Sequence, residues 1–154
     1  MIAYNIEPWP STYKMGEEIK PNKLVPNCSG RKVGAFRGTI PPRTIEPPQI
    51  HLIASRDNHS FQELIIPQDN TLLVAYFDVK TMAYSTKEYK PKSEVIIPTF
   101  KIHWLINPND FPLNFICEYS PHPWDGNNDE PEFPNLSALM QFAQEKGLIE
   151  KLRE

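Results

Sequence analysis

From residue 49 onward the apolar residues fall in runs too short for helices, and turn residues separate the runs. Residues 49–54 and 61–67 are candidate strands, the second carrying Phe61, Leu64, Ile65 and Ile66. Gln68, Asp69 and Asn70 form a turn signal. Residues 71–80 read T-L-L-V-A-Y-F-D-V-K, dense in the branched and aromatic side chains that suit a pleated, packed surface. The stretch 85–92 is polar. Residues 95–97 and 101–106 are strands broken at Pro98, and a polar turn at 107–110 leads into a strand over 113–119. Short strands with close turns imply an antiparallel sandwich or barrel. The period changes only near the end. Leu136, Leu139, Met140, Ala143, Leu148 and Leu152 repeat at helical spacing, Asn135 can cap that helix, and Gly147 can divide it in two. Such a helix packs on the outside of the barrel or on a partner.

The flanking segments have a different texture. Residues 1–48 carry turn signals every few positions, with short strands expected at 32–36 and 39–40. The Pro8-Trp9-Pro10 segment suits an arm laid over a sheet or over a second subunit. Residues 120–134 hold four prolines and D-G-N-N-D-E, and read as a loop. A chain of 154 residues fits one domain with one core. Within residues 1–154 that domain comprises an arm and outer strands over 1–45, the barrel over 46–120 and a C-terminal helix over 135–153.

Composition narrows the function classes. Seventeen prolines against six glycines point to stiff turns and strand edges. The formal net charge of -3, with no block of Lys and Arg, argues against a nucleic-acid surface. No apolar stretch is long enough to span a membrane, and the N-terminus lacks the basic-then-apolar order of a signal peptide. Cys28 and Cys117 are the only cysteines, too few for a disulfide scaffold, so a reducing, cytoplasmic setting is expected.

Metal-ligand side chains gather in two places. In an extended chain Asp57, His59 and Glu63 share one face. His103 stands alone between two apolar runs, with Pro98 before it and Asn107 after it. A histidine and carboxylates on one strand, joined by a histidine from elsewhere in the sheet, form a site for Fe(II), Mn(II), Ni(II) or Zn(II) with open positions for substrate or water. Arg37 and Arg56 are candidates to hold a carboxylate or phosphate, because guanidinium binds such groups bidentately. Tyr76 is a candidate acid or base. Trp104 lies near the expected barrel wall, and Trp124, in S-P-H-P-W-D-G, is a candidate lid over a sugar-like ligand. The alternative for each is an ordinary packing or surface role.

The spacing resembles the cupin superfamily. Its first motif, G-x5-H-x-H-x3,4-E-x6-G, falls on His51, Asp57, His59, Glu63 and Asn70. Its second, G-x5-P-x-G-x2-H-x3-N, falls on Lys92, Pro98, Phe100, His103 and Asn107, with Pro98, His103 and Asn107 as the motif has them. The departures are Asp57 in place of the first histidine and the loss of every motif glycine. The resemblance implies an all-β fold, a double-stranded β-helix or cupin jelly-roll barrel, with the C-terminal helix added. It also implies a divalent metal held by Asp57, His59, Glu63 and His103, with His59, Glu63 and Tyr76 as catalytic residues. Arg37, Arg56, Trp104 and Trp124 would bind substrate. The expected function is then a metal-dependent isomerase or epimerase, lyase or dioxygenase acting on a sugar-like or small oxygen-rich molecule. The expected assembly is a homodimer. The alternative is a barrel that has lost its metal and binds a small ligand or a partner protein without catalysis.

Overall fold

The computed structural model describes residues 7–8, 16–27, 30–50, 53–54, 59–60, 62–98, 101–120 and 133–154. The short apolar runs become strands of two facing sheets. One sheet has the order β1-β3-β10-β7-β8, built from Glu7–Pro8, Thr44–Ile45, Ile102–Asn107, Leu72–Asp78 and Ala83–Tyr89. The other has the order β2-β11-β6-β9, built from Gly34–Ile40, Leu113–Ser120, Gln62–Pro67 and Val95–Ile97. A separate pair joins β4 (Ile53–Ala54) to β5 (His59–Ser60). Every pairing is antiparallel except that of β1 with β3. From β6 the chain runs into β7 of the opposite sheet, and it crosses again from β8 to β9, β9 to β10 and β10 to β11. A double ribbon wound in this way is a jelly roll.

All six residues of β10 are buried, because the strand has a core on each face. Leu105 packs between the sheets with Phe36, Ile65, Val74, Phe115 and Tyr119. Ile102, Trp104 and Ile106 alternate to the outer face and pack with Phe77, Phe133 and Leu139. The second core exists because a helix covers that face. Asn135 caps α1 (Leu136–Glu145), its side chain accepting from the Ala138 N–H at 2.9 Å, and Leu139 and Ala143 are the residues α1 buries. Gly147, at φ +70, ends it. The Gly147 N–H then reaches Gln144 O and the Leu148 N–H reaches Ala143 O, a Schellman closure before α2 (Ile149–Leu152). The helix therefore lies on the outside of the barrel.

The polar stretch near residue 85 is part of a seven-residue strand. β8 pairs along its whole length with β7 and takes the sheet edge, where polar side chains on both faces stay wet. On the outer face of the second sheet, residues 16–27 run as a strap. Glu17 and Ile19 exchange backbone hydrogen bonds with Arg37 and Ala35. The buried Glu118 carboxylate accepts from the N–H groups of Asn22, Lys23 and Leu24 at 2.9–3.1 Å. Ser120 Oγ donates towards Val25 O and Asn27 Oδ1, both at 2.8 Å.

One end of the barrel is tied by Asn107. Its fully buried amide donates towards Ile40 O, Pro41 O and Phe111 O at 2.8–3.0 Å. Its Oδ1 accepts from Asn109 N and Nδ2 at 2.9 and 2.7 Å. Replacing Asn107 with alanine leaves these backbone carbonyls in a dry site, so the Asn107→Ala variant should lose about 2–3 kcal/mol. A urea midpoint that falls with unchanged slope is the expected reading. An unchanged midpoint would show that water replaces the amide there.

Candidate functional site

At the other end, β6 and β11 pair so that Glu63 stands opposite Tyr119, and β7 and β10 pair so that Tyr76 stands opposite His103. Alternation turns all four side chains towards the space between the sheets. The His103 backbone is gripped from both sides. It belongs to the β7–β10 ladder, and it exchanges two hydrogen bonds with Gln49, at 2.9 and 3.0 Å.

Across that space His103 Nε2 lies 3.5 Å from Glu63 Oε1, with the side chains 0% and 2% exposed. The other ring nitrogen, Nδ1, is 3.0 Å from Lys101 O. A carbonyl oxygen only accepts, so Nδ1 carries the hydrogen and Nε2 is the atom turned to the carboxylate. A separation of 3.5 Å is longer than a good hydrogen bond. It is close to the roughly 3.4 Å between two donors on one tetrahedral ion with bonds of about 2.1 Å.

Neutral acids surround the pair. Tyr119 is fully buried and hydrogen-bonds to Glu63. Burial pushes its phenol well above the ordinary range, and the nearby Cys117 and Glu63 push the same way. Burial also raises Tyr76, helped by its hydrogen bond with Tyr89 and by the Glu63 charge. The Cys117 thiol is raised by burial and then by Glu63. At neutral pH these groups keep their protons. Tyr76 stands opposite His103 as a half-buried phenol that holds its proton.

Sequence candidates separate on this frame. Glu63, Tyr76 and His103 come together. Trp104 does not join them: it alternates to the outer face, where its ring stacks 5.5 Å from Tyr84 in the core under the helix. Neighbours on one strand point to opposite faces, so Trp104 lies apart from the pair. Arg37 is exposed on the outer face of the second sheet, beside Gly16, Glu17, Thr39 and Asn114, so it too lies apart from the pair. The His59 backbone pairs with Ala54 in the small β4–β5 sheet. The His59 side chain, with Asp57, Arg56 and Trp124, lies outside the described residues. Among the described residues no group of three or more His, Cys, Asp or Glu is placed to hold a metal ion. Of the four residues expected to hold a metal, Glu63 and His103 are the two whose side chains are described.

Two interior groups escaped the sequence reading. Tyr119 sat in an apolar run whose inward face only pairing decides. Glu46 is 5% exposed. Its N–H bonds to Leu105 O at 2.9 Å, one step beyond the paired Ile45 and Ile106, so it shares the inward face of Leu105. Its charge is felt by Cys117 and Tyr119.

Two facing antiparallel sheets with the chain crossing between them match the fold that the motifs imply. The fold is the cupin jelly roll. No protein-family model matches the sequence, and no curated protein does. Solved structures match by shape. An oxalate oxidase bound to the substrate analogue glycolate aligns at TM-score 0.51 and 16% identity, over 79% of this chain and 61% of that one. A protein from Bacillus halodurans aligns at TM-score 0.51 and 15% identity, over 71% and 75% of the two chains. CapF, solved with the inhibitor 3-isopropenyl-tropolone, aligns at TM-score 0.50 and 12% identity, over 71% of this chain and 29% of CapF. The chain thus spans less than two thirds of CapF and of the oxalate oxidase. At these identities the likeness is one of fold. Among the described residues no helix is long and apolar enough to cross a membrane.

The raised acids predict alkaline sensitivity. Each holds its proton in the folded state beyond its ordinary value of 9.0 for Cys117 or 10.0 for Tyr76 and Tyr119, so the unfolded chain loses protons first. Their contribution to stability is complete below about pH 9 and declines as pH rises above that. In a Cys28→Ser background, thiol labelling of Cys117 and ionisation of the buried Tyr119 phenol should both appear only with unfolding. Phenolate absorbance from all six tyrosines while the fold is intact would contradict the arrangement around Glu63.

Proposed function

We propose that this chain is a small metal-dependent cupin enzyme acting on a sugar-like or small oxygen-rich substrate, by isomerase or epimerase, lyase or dioxygenase chemistry. The observation that carries the reading is the buried His103–Glu63 pair at 3.5 Å, with Nδ1 already committed to Lys101 O. A histidine whose far nitrogen is held by a carbonyl is oriented as a ligand. One nitrogen and one oxygen donor suit Fe, Mn, Ni or Zn, and Asp57 and His59 are proposed to complete the set. A divalent ion in such a set supplies Lewis acidity to substrate oxygens.

The chain's own residues divide the remaining work. Tyr119 holds the Glu63 carboxylate in place. Tyr76, half-buried opposite His103 and hydrogen-bonded to Tyr89, places a phenol at the edge of the site. The lining of the pair by buried apolar side chains, Ile97, Leu105 and Val74 among them, limits water there. Oxalate oxidase has been solved with glycolate, a small hydroxy acid, and a substrate of similar size and oxygen content is consistent with this reading.

Elemental analysis of protein purified without a histidine tag is the test. The expected result is about one equivalent of Fe, Mn, Ni or Zn, lost in His103→Ala and in Glu63→Gln with the fold intact by circular dichroism. No uptake after reconstitution with any of the four would overturn the reading in favour of a non-catalytic barrel. Tyr119→Phe removes the hydroxyl that bonds Glu63 and Cys117 and keeps the ring, and should weaken metal affinity by about 10–100-fold without abolishing it. A competition titration with a chelating dye reads that change.

A further inference from the structure

Lys101 was not among the residues marked by the motifs. It immediately precedes β10 and shares the parity of His103, so it faces inward at the same end of the barrel. Its carbonyl fixes the His103 ring. Its ammonium lies over the Tyr76 ring, 6.0 Å from the centroid, and the residue is half-buried. Tyr76 in turn stands opposite His103 and feels the Glu63 charge.

A half-buried ammonium normally takes a carboxylate partner. The nearest by register is Asp78, one step beyond the paired Ile102 and Phe77. Asp78 spends its Oδ1 on the N–H groups of Lys80 and Thr81, at 2.8 and 3.3 Å, closing the β7–β8 turn. Among the described residues no carboxylate lies within 4.0 Å of Lys101 Nζ, in a chain with 19 acidic residues. The ammonium rests on an aromatic face, and such a contact leaves its N–H donors directed elsewhere.

We propose that Lys101, its ammonium resting on the Tyr76 ring, is the anion-binding half of the site, and that the substrate carries a small oxyanion, a carboxylate or a phosphate. This rests on the reading of Glu63 and His103 as the reactive end of the same space. An anion anchored by Lys101 would reach from the ammonium towards the His103–Glu63 pair, so the group that reacts and the group that is recognised are neighbouring parts of one small molecule. Lys101 is a binding residue in this account and takes no part in bond making.

The test is calorimetric titration of the intact chain, loaded with Mn2+ and desalted, with lactate, lactamide and inorganic phosphate. Lactate and lactamide differ by little more than one charge. Binding of lactate or phosphate is expected, with the preferred anion naming the group. Lactamide should bind at least about tenfold more weakly, as should the anion to Lys101→Gln, because a hydrogen bond to a charged group is at stake. Lys101→Arg should retain most of the affinity, and added salt should weaken anion binding. Equal anion affinity in wild type and Lys101→Gln would overturn the proposal, as would equal affinity for lactate and lactamide, or no binding of either anion. Metal content is measured on the same samples. A chain that takes up no metal, yet loses anion affinity in Lys101→Gln, fails the metal reading and keeps this one. A chain that binds metal, yet shows no dependence on Lys101, does the reverse.

Discussion

A strand covered on both faces tolerates no polar group that lacks a partner, because water cannot reach it to compensate. β10 is such a strand, and it carries His103 and Asn107 among four apolar residues. The rest of the barrel is arranged to satisfy those two. Asn107 gathers the carbonyls of the turns at one end, which tethers β2 and the β10–β11 connection to the sheet. His103 gathers the Lys101 carbonyl and the Glu63 carboxylate at the other. One polar position closes the fold and the other opens a site, and only three residues separate them along the strand.

The surroundings of Glu63 follow from the same constraint. A carboxylate that is 2% exposed requires donors. Tyr119 supplies one, and a histidine or a cation supplies the next. The phenols and the thiol nearby are held neutral by burial and by that very charge, so the interior is rich in hydrogen donors and poor in mobile charge. Glu46 adds a second buried carboxylate to this interior. The half-buried Lys101 is the positive residue beside this interior, resting on the Tyr76 ring.

Much of this was legible in local pattern. Branched and aromatic density marked β7, β10 and β11, and the helical repeat with Asn135 and Gly147 marked the C-terminal pair of helices. Pro98, His103 and Asn107 marked the better-kept half of the motif, and His103 does point inward. The outward direction of Trp104 is contained in strand alternation: beside an inward histidine it has to face out. Glu46 and Tyr119 were illegible. Their direction is set by register with strands some sixty residues away, and nothing within a few positions of either residue encodes it. β8 was hidden because its stability comes from backbone pairing with β7, which leaves no apolar signature at an edge.

The strap held by Glu118 has a consequence for the order of assembly. The carboxylate and the N–H groups it binds are 94 to 96 residues apart. Closing so long a loop costs entropy that only formed structure repays. Residues 22–24 leave the ribosome well before Glu118 does, yet they have nothing to dock on until β11 has joined β6 and β2. Early synthesis is therefore paired with late folding. During that interval the outer face of β11 stays open, and the strap acts as the clasp that closes once the barrel beneath it is complete.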